Sequence, residues 1–338
     1  MEYTLLKGTG LKVSRFCLGT MTFGGQTNEE DSIRIVHHAL DEGVNFFDTA
    51  GTYTGGISEK YLGKALEGRR EEAVIATKVN NPRGPLPNQS GQGRKHIMTD
   101  IEESLRSLRT DYIDLYYLHH PDYSTPMEEI IETMTNLVRS GKIRYYGLSN
   151  HSAWKCCQFI DKAREMHAVA PVVTESVYNL ITRGLDDEML PFLEEYNMGL
   201  AVYNPIAAGL LTGKHSKQAP AEGSRFAINS GYAQRYFNDQ NLDAVEEIKR
   251  IASDEGMGIL EFSLQWLLNQ KAVDSIIVGT SKYEHAVENI ALASETKKIS
   301  PEALERCDEL WNSIRGHYFS YFGNAHPPKR APGEKKMS

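Results

Sequence analysis

The sequence predicts an α/β chain folded as a single-domain (β/α)8 TIM barrel. Eight short β-rich apolar runs alternate with amphipathic helical stretches, and most run starts (Arg15, Val44 and Ala73, then Ile113, Ile143, Pro171 and Met198) follow one another by 27 to 30 residues. That step is the length of one βα unit. An open sheet of this order would more often carry a G-x-G-x-x-G turn after its first strand; here "GTGLKV" from Gly8 has Val13 at the third glycine and precedes the first barrel strand.

Element by element, "GTG" at Gly8 reads as the turn of an N-terminal β-hairpin. The barrel strands are "RFCLG" from Arg15, "VNFFD" from Val44, "AVIATK" from Ala73, "IDLYYLH" from Ile113, "IRYYGLS" from Ile143, "PVVTESV" from Pro171, "MGLAVYN" from Met198 and "DSIIVG" from Asp274. Thr27 with Glu30, Thr99 with Glu102, and Thr125 with Glu128 fit the capping box, with Pro126 at a first helical position. After Thr99, Ile101, Leu105 and Leu108 recur on one face while Glu102, Glu103 and Arg106 face water. Long loops follow strands three and seven, "NNPRGPLPNQSGQGRKH" and "AINSGYAQRYFNDQNL". In a barrel both lie at the C-terminal face, where they wall a substrate pocket. The barrel is expected over residues 1–325, with 326–338 a flexible basic tail.

Net charge −8 and pI near 5.8 argue against broad binding to nucleic acid or acidic membranes, because no cationic excess exists to neutralise phosphates. Small molecules are the expected partners. Cys17, Cys156, Cys157 and Cys307 form no CxxC pair and read as reduced thiols. The start "MEYTLLKGTG" has no basic segment before an apolar run, and no stretch of about 20 apolar residues occurs, so a cytoplasmic protein is expected. The pairs His37–His38 and His119–His120 do not suggest a metal, since adjacent side chains diverge in helix and strand alike, and HExxH is absent.

Asp48, Lys78 and His119 each close an apolar run, in "FFD", "IATK" and "DLYYLH", so a barrel gathers them on one rim. Tyr53 lies five residues past Asp48 and leans over the same mouth. In one reading Tyr53 is an acid whose pKa the Lys78 ammonium lowers toward working pH, Asp48 keeps Lys78 charged, and His119 orients a substrate oxygen or shares its proton. In the other, Asp48 and Lys78 are a structural ion pair and Tyr53 a rim aromatic.

The stretches "FDTAGTYTGGISEKYLG", "YIDLYYLHHPD", "GKIRYYGLSN" and "GLLTGK" together resemble the aldo-keto reductases, in that family's order, from about Tyr3 to about Asn289. The insertion's "GQGRKHI" resembles the branch containing potassium-channel beta subunits and bacterial aldo/keto reductases. The resemblance implies a nicotinamide cofactor extended across the barrel mouth and a catalytic tetrad of Asp48, Tyr53, Lys78 and His119. It further implies hydride transfer to an aldehyde, ketone or sugar-like carbonyl, with Tyr53 as proton donor. It assigns Ser149 and Asn150 to the carboxamide and Tyr203 to stacking on the nicotinamide. Glu175 stands where the family usually has Gln, which alters the hydrogen bonds to the carboxamide without abolishing them. Gly19, Thr20, Met21, Asn204, Pro205 and Gly279 complete the expected cofactor groove.

Pyrophosphate is expected near Gly209, Leu211, Gly213 and Lys214, although that glycine pair also reads as a plain strand-to-loop turn. Thr280, Lys282 and His285 are expected at a 2′-phosphate, and Glu288 and Asn289 at adenine. This favours NADP(H), with NAD(H) as the alternative, because "IIVGTSKYEH" lacks the proline and arginine often found there. Met21, Thr22, Phe23, Asn80, Pro82, His120, Arg225, Tyr232 and Phe237 are candidate substrate contacts, polar and aromatic enough for a modest carbonyl compound rather than a steroid. Two rivals stand: a nucleotide-sensing auxiliary subunit with weak or no turnover, and a barrel hydrolase using Asp48 and Glu175. The aromatic "HYFSYFGN" from His317 leaves an oligomer open.

Overall fold

The computed structural model describes residues 1–215, 220–221, 224–228 and 230–316. The aromatic segment from His317 and the basic tail lie outside the described residues. β1 (Tyr3–Leu5) and β2 (Lys12–Ser14) form the antiparallel hairpin expected around Gly8. β3 (Phe16–Gly19), β4 (Phe46–Asp48), β5 (Val74–Val79), β6 (Ile113–Leu118), β7 (Ile143–Ser149), β8 (Val173–Val177), β9 (Gly199–Tyr203) and β10 (Ser275–Gly279) close a parallel barrel, β10 pairing with both β9 and β3.

Period-two alternation sorts each strand. Phe46, Val74, Ala76, Leu115, Tyr117, Val173, Ala201 and Ile277 fill the barrel, while Phe47, Ile75, Tyr116, Leu148, Val202 and Val278 pack beneath the helices. Leu6 and Val13 of the hairpin join the interior cluster and plug its lower end, Leu6 lying against Gly199 at the start of β9. Tyr117 needs a glycine beside it: a Cβ on Gly147 of the paired strand would lie 2.6 Å from its ring. Apolar layers thus fill the barrel below, and the charged cluster of Asp48, Lys78 and Glu175 forms at its C-terminal end.

The helices stand where expected, but their starts differ. α1 (Glu29–Asp41) is capped by Asn28, which accepts from the Asp31 amide, because the Thr27 hydroxyl is taken by Thr22 and the Ser281 carbonyl. α2 spans Ile57–Ala65 and α3 Arg94–Leu108. Thr99 therefore lies inside α3, its hydroxyl donating to the Lys95 carbonyl, since burial of Ile97 and Asp100 carries the helix back to Gly93. α4 (Met127–Arg139) starts after Pro126, Asp122 having captured the Thr125 hydroxyl. Ile101, Leu105 and Leu108 are buried as the pattern predicts, and Glu102 pairs with Lys142.

The loop after β5 is held by a buried polar network. Arg83 pairs with Asp100, donates to Ser104 Oγ at 2.7 Å and lies 3.6 Å from Glu59. Thr77 donates to Glu59 and Tyr116 to Asp100, each at 2.7 Å. The guanidinium also fills the space beside Gly51, where a Cβ would lie 1.8 Å from it. One side chain thus ties the Tyr53 loop, the β5–α3 loop and α3 together. Removing it strands two buried carboxylates, so Arg83→Ala should lower the free energy of unfolding by about 3 kcal/mol or more. Arg109→Ala, which breaks the exposed pair with Glu67, should leave the urea midpoint in place. Equal midpoints for the two variants would refute this account of the network.

Candidate functional site

A cavity of about 650 Å³ opens at the C-terminal end of the barrel and runs from Asp48, Tyr53 and His119 to His285 and Asn289. Strand direction explains its floor. Asp48 ends β4, Glu175 is the third residue of β8, and Lys78, the penultimate residue of β5, points inward between them. His119 is the first residue past β6, one later than its apolar run suggests.

Lys78 is buried and donates to both Asp48 oxygens at 2.6 Å and to the Thr49 carbonyl at 2.9 Å. Glu175 Oε2 lies 3.5 Å from the same ammonium and is a buried atom with no hydrogen-bond partner. The ammonium sits 5.2 Å from the centre of the Tyr53 ring, which meets the His119 ring edge-on at 6.0 Å. His119 stacks on His120 at 4.5 Å. Its backbone carbonyl accepts from Asn150 Nδ2 at 3.0 Å, and Asn150 Oδ1 accepts from the Tyr203 hydroxyl at 2.8 Å. Asn150 and Asn204 take the left-handed backbone at φ 60° and 58°, which asparagine tolerates best among residues with a side chain.

Burial and the shared lysine set the protonation states. Burial raises the Asp48 carboxyl, and Lys78 pulls it back. Burial, then the Asp48 charge, pushes Glu175 up to about 8. The carboxylates hold Lys78 charged, above the usual lysine range despite its burial. Burial, then Lys78, takes His119 down to about 2, so its ring is neutral. For Tyr53 the expectation fails. Burial raises its phenol above the usual range, outweighing the pull of Lys78, which the Asp48 charge opposes.

Of the other expected positions, Gly19, Met21, Asn150, Glu175, Tyr203, Asn204, Pro205 and Gly209 line the cavity. So do Lys214, Gly279, Thr280, Lys282, His285, Glu288 and Asn289. Thr20, Ser149, Leu211 and Gly213 do not: Thr20 is buried against Ser58 and the Asp48 carbonyl, Ser149 and Leu211 are fully buried, and Gly213 forms a turn at φ 72°. Among the substrate candidates, Thr22, His120, Arg225 and Tyr232 line the wall with Met21. Phe23 is fully buried in the core, and Phe237 packs on Phe226 and His215. Asn80 and Pro82 also miss the cavity: the chain turns at Asn80 (φ 135°), which faces a separate depression beside Asp122 and leaves Asn81 on the wall. Arg235 was missed, although it follows Tyr232 by three residues on α8 (Ser230–Tyr236) and so shares its face.

Among the described residues, no group of three or more His, Cys, Asp or Glu is placed to hold a metal ion, and no helix is long and apolar enough to cross a membrane. A sequence model described as the aldo/keto reductase family matches residues 15–312. A probable voltage-gated potassium channel subunit beta of Oryza sativa is 33% identical over 93% of this chain and 97% of its own length. A putative subunit of the same description from Schizosaccharomyces pombe is 37% identical over 92% of this chain and 94% of its own. The Bacillus subtilis aldo-keto reductase YhdN is 35% identical over 83% and 86%. With the closed parallel barrel and its polar mouth already described, the match across nearly the whole barrel places this chain in the aldo/keto reductase family.

Proposed function

We propose that the protein is an NADP(H)-dependent oxidoreductase that reduces an aldehyde, ketone or sugar-like carbonyl to an alcohol, with Tyr53 as proton donor. The observation that carries this reading is the Tyr53 phenol held beside the buried Lys78 ammonium and the His119 imidazole at the floor of one elongated cavity. The donor set suits a nicotinamide dinucleotide. Glu175, whose buried Oε2 on the Lys78 side is orphaned, lines one end of the cavity with Asn150 and Tyr203, and Lys214, Lys282 and His285 line the other. Bound there, the nicotinamide supplies the hydride.

Tyr53 then hands its proton to the carbonyl oxygen, and Lys78, within coulombic reach, stabilises the phenolate left behind. Because His119 is neutral, it orients that oxygen by hydrogen bonding rather than by protonating it. Asp48 keeps the ammonium in place. Glu175 at neutral pH carries a proton, so it offers one donor and one acceptor, as an amide does. The preference for NADP(H) over NAD(H) rests on Lys282, the N-cap of α11 (Tyr283–Ala293), whose helix N-terminus and ammonium both favour a 2′-phosphate. The channel-subunit names of the rice and fission-yeast relatives favour a second reading, a nucleotide-sensing auxiliary subunit with weak or no turnover. Turnover decides between the two.

Followed as NADPH oxidation against small aldehydes, ketones and keto sugars, Tyr53→Phe should lose about 100-fold or more in kcat while still binding nucleotide. Near-parental turnover would remove the phenol from the mechanism, and no turnover by the parent would favour the sensing subunit. Replacing Lys282 and His285 by alanine should weaken NADPH more than NADH in titrations; equal loss would refute the phosphate assignment. A carboxyl held at about 8 when folded, against an ordinary 4.5, favours the folded state below 4.5 and loses that contribution as pH rises to 8. Between about pH 5 and pH 8, urea unfolding should therefore show parent stability falling relative to Glu175→Gln. Parallel profiles would mean that Glu175 is already ionised.

A further inference from the structure

Tyr53, His120 and Asn150 fix where the His119 ring lies, but none of them bonds its nitrogens. His119 N–H of the backbone donates to the Val79 carbonyl at 2.9 Å, its carbonyl accepts from Asn150, and its ring is sandwiched between His120 and the edge of Tyr53. A neutral imidazole held this way still has two tautomers, and only one of them points a proton at a substrate oxygen. Among the described residues, one side chain bonds the ring: Asn81, whose Nδ2 lies 3.2 Å from His119 Nδ1.

We propose that Asn81 is a positioning residue that fixes the tautomer of His119. Its amide donates to Nδ1, so the ring proton resides on Nε2, which bonds no protein group among the described residues. That N–H is then the donor available to a carbonyl oxygen in the cavity. The assignment rests on the reductase reading for its purpose, though not for its geometry.

Asn81 is held for such a role. Gly91 N–H closes on the Asn80 carbonyl at 2.8 Å, and Arg83 N–H on the Gln89 carbonyl at 3.0 Å, so backbone bonds brace the loop on either side. Two residues on, the Arg83 side chain anchors the same loop in the network of Asp100, Ser104 and Glu59. The loop after β5 thereby controls a residue that follows β6.

Asn81→Asp replaces the donor by a carboxylate that only accepts, which drives the proton to Nδ1 and leaves a lone pair at Nε2. Long-range ¹H–¹⁵N spectra of histidine-labelled, NADP⁺-loaded protein, with His119 assigned through His119→Asn, should show the Nε2–H form in the parent and the Nδ1–H form in Asn81→Asp. Turnover in that variant should fall by about 100-fold or more, as a wrong tautomer costs elsewhere, with the Kd for NADP⁺ within about threefold. The added carboxylate should also raise the pH at which His119 ionises, adding an acid limb to the rate profile against the fixed background of Lys78, Tyr53 and His120. Asn81→Ala, which introduces no charge, should show both tautomers and an intermediate loss. A parent spectrum in the Nδ1–H form, or Asn81→Asp with the parental tautomer and rate, would overturn the proposal. Failure of the reductase reading would instead appear as no turnover by the parent protein, and would leave the spectra unchanged.

Discussion

Everything at the barrel mouth depends on one buried cation. Lys78 is held by both oxygens of Asp48 and approached by Glu175, three groups from β5, β4 and β8 that meet only when the barrel closes. Taking such charges out of water is costly, and the cluster persists because its hydrogen bonds are made at short range inside a sealed interior. Leu6 and Val13 seal it from below, and the inward residues of the strands fill the layers between. Burial and the field of this ammonium together keep His119 neutral, whereas at Tyr53 and Glu175 burial outweighs that field and raises both groups.

The mouth is thus built from two kinds of part. Strand ends supply the rigid floor, and loops supply the wall. The wall is tied down where it matters: Arg83 links the Tyr53 loop to the one carrying Asn81, and Tyr203 and Asn150 reach across from β9 and β7 to the carbonyl of His119. Backbone in the left-handed region at Asn150, Asn204 and Ala208 clusters on this rim, the place where local strain serves to aim side chains.

The floor was legible in the sequence because it follows from period and spacing. An apolar strand that ends in a charge exposes that charge at a barrel rim, and Asp48, Lys78 and His119 obey the rule to within one residue. The wall was legible only in outline. Whether Asn80 or Asn81 faces the cavity depends on a single backbone turn at φ 135°, which no side-chain pattern encodes. Phe23 looked like a rim aromatic by position, yet the turn after β3 folds it into the core. The helix caps erred for a related reason: Thr27 and Thr125 are good caps in isolation, but the distant Ser281 carbonyl took one hydroxyl and the nearby Asp122 carboxylate the other. The raised phenol of Tyr53 was hidden because sequence names the neighbouring lysine without showing the burial that outweighs it or the Asp48 charge that opposes it.

The grouping of these carboxyls on Lys78 also bears on which chemistry the pocket suits. A glycoside hydrolase needs one carboxylate free to attack or to activate water on the far side of the substrate from a second, protonated one. Here both Asp48 oxygens are occupied by Lys78, and Glu175 faces the same ammonium rather than an open gap. What the floor turns toward the cavity is instead a phenol and an imidazole, both neutral. A donor-rich, nearly uncharged floor attracts an acceptor such as a carbonyl oxygen and tolerates the charge that develops on it during reduction. The carboxylates therefore serve chemistry at the mouth indirectly, by fixing the cation that makes such a floor stable.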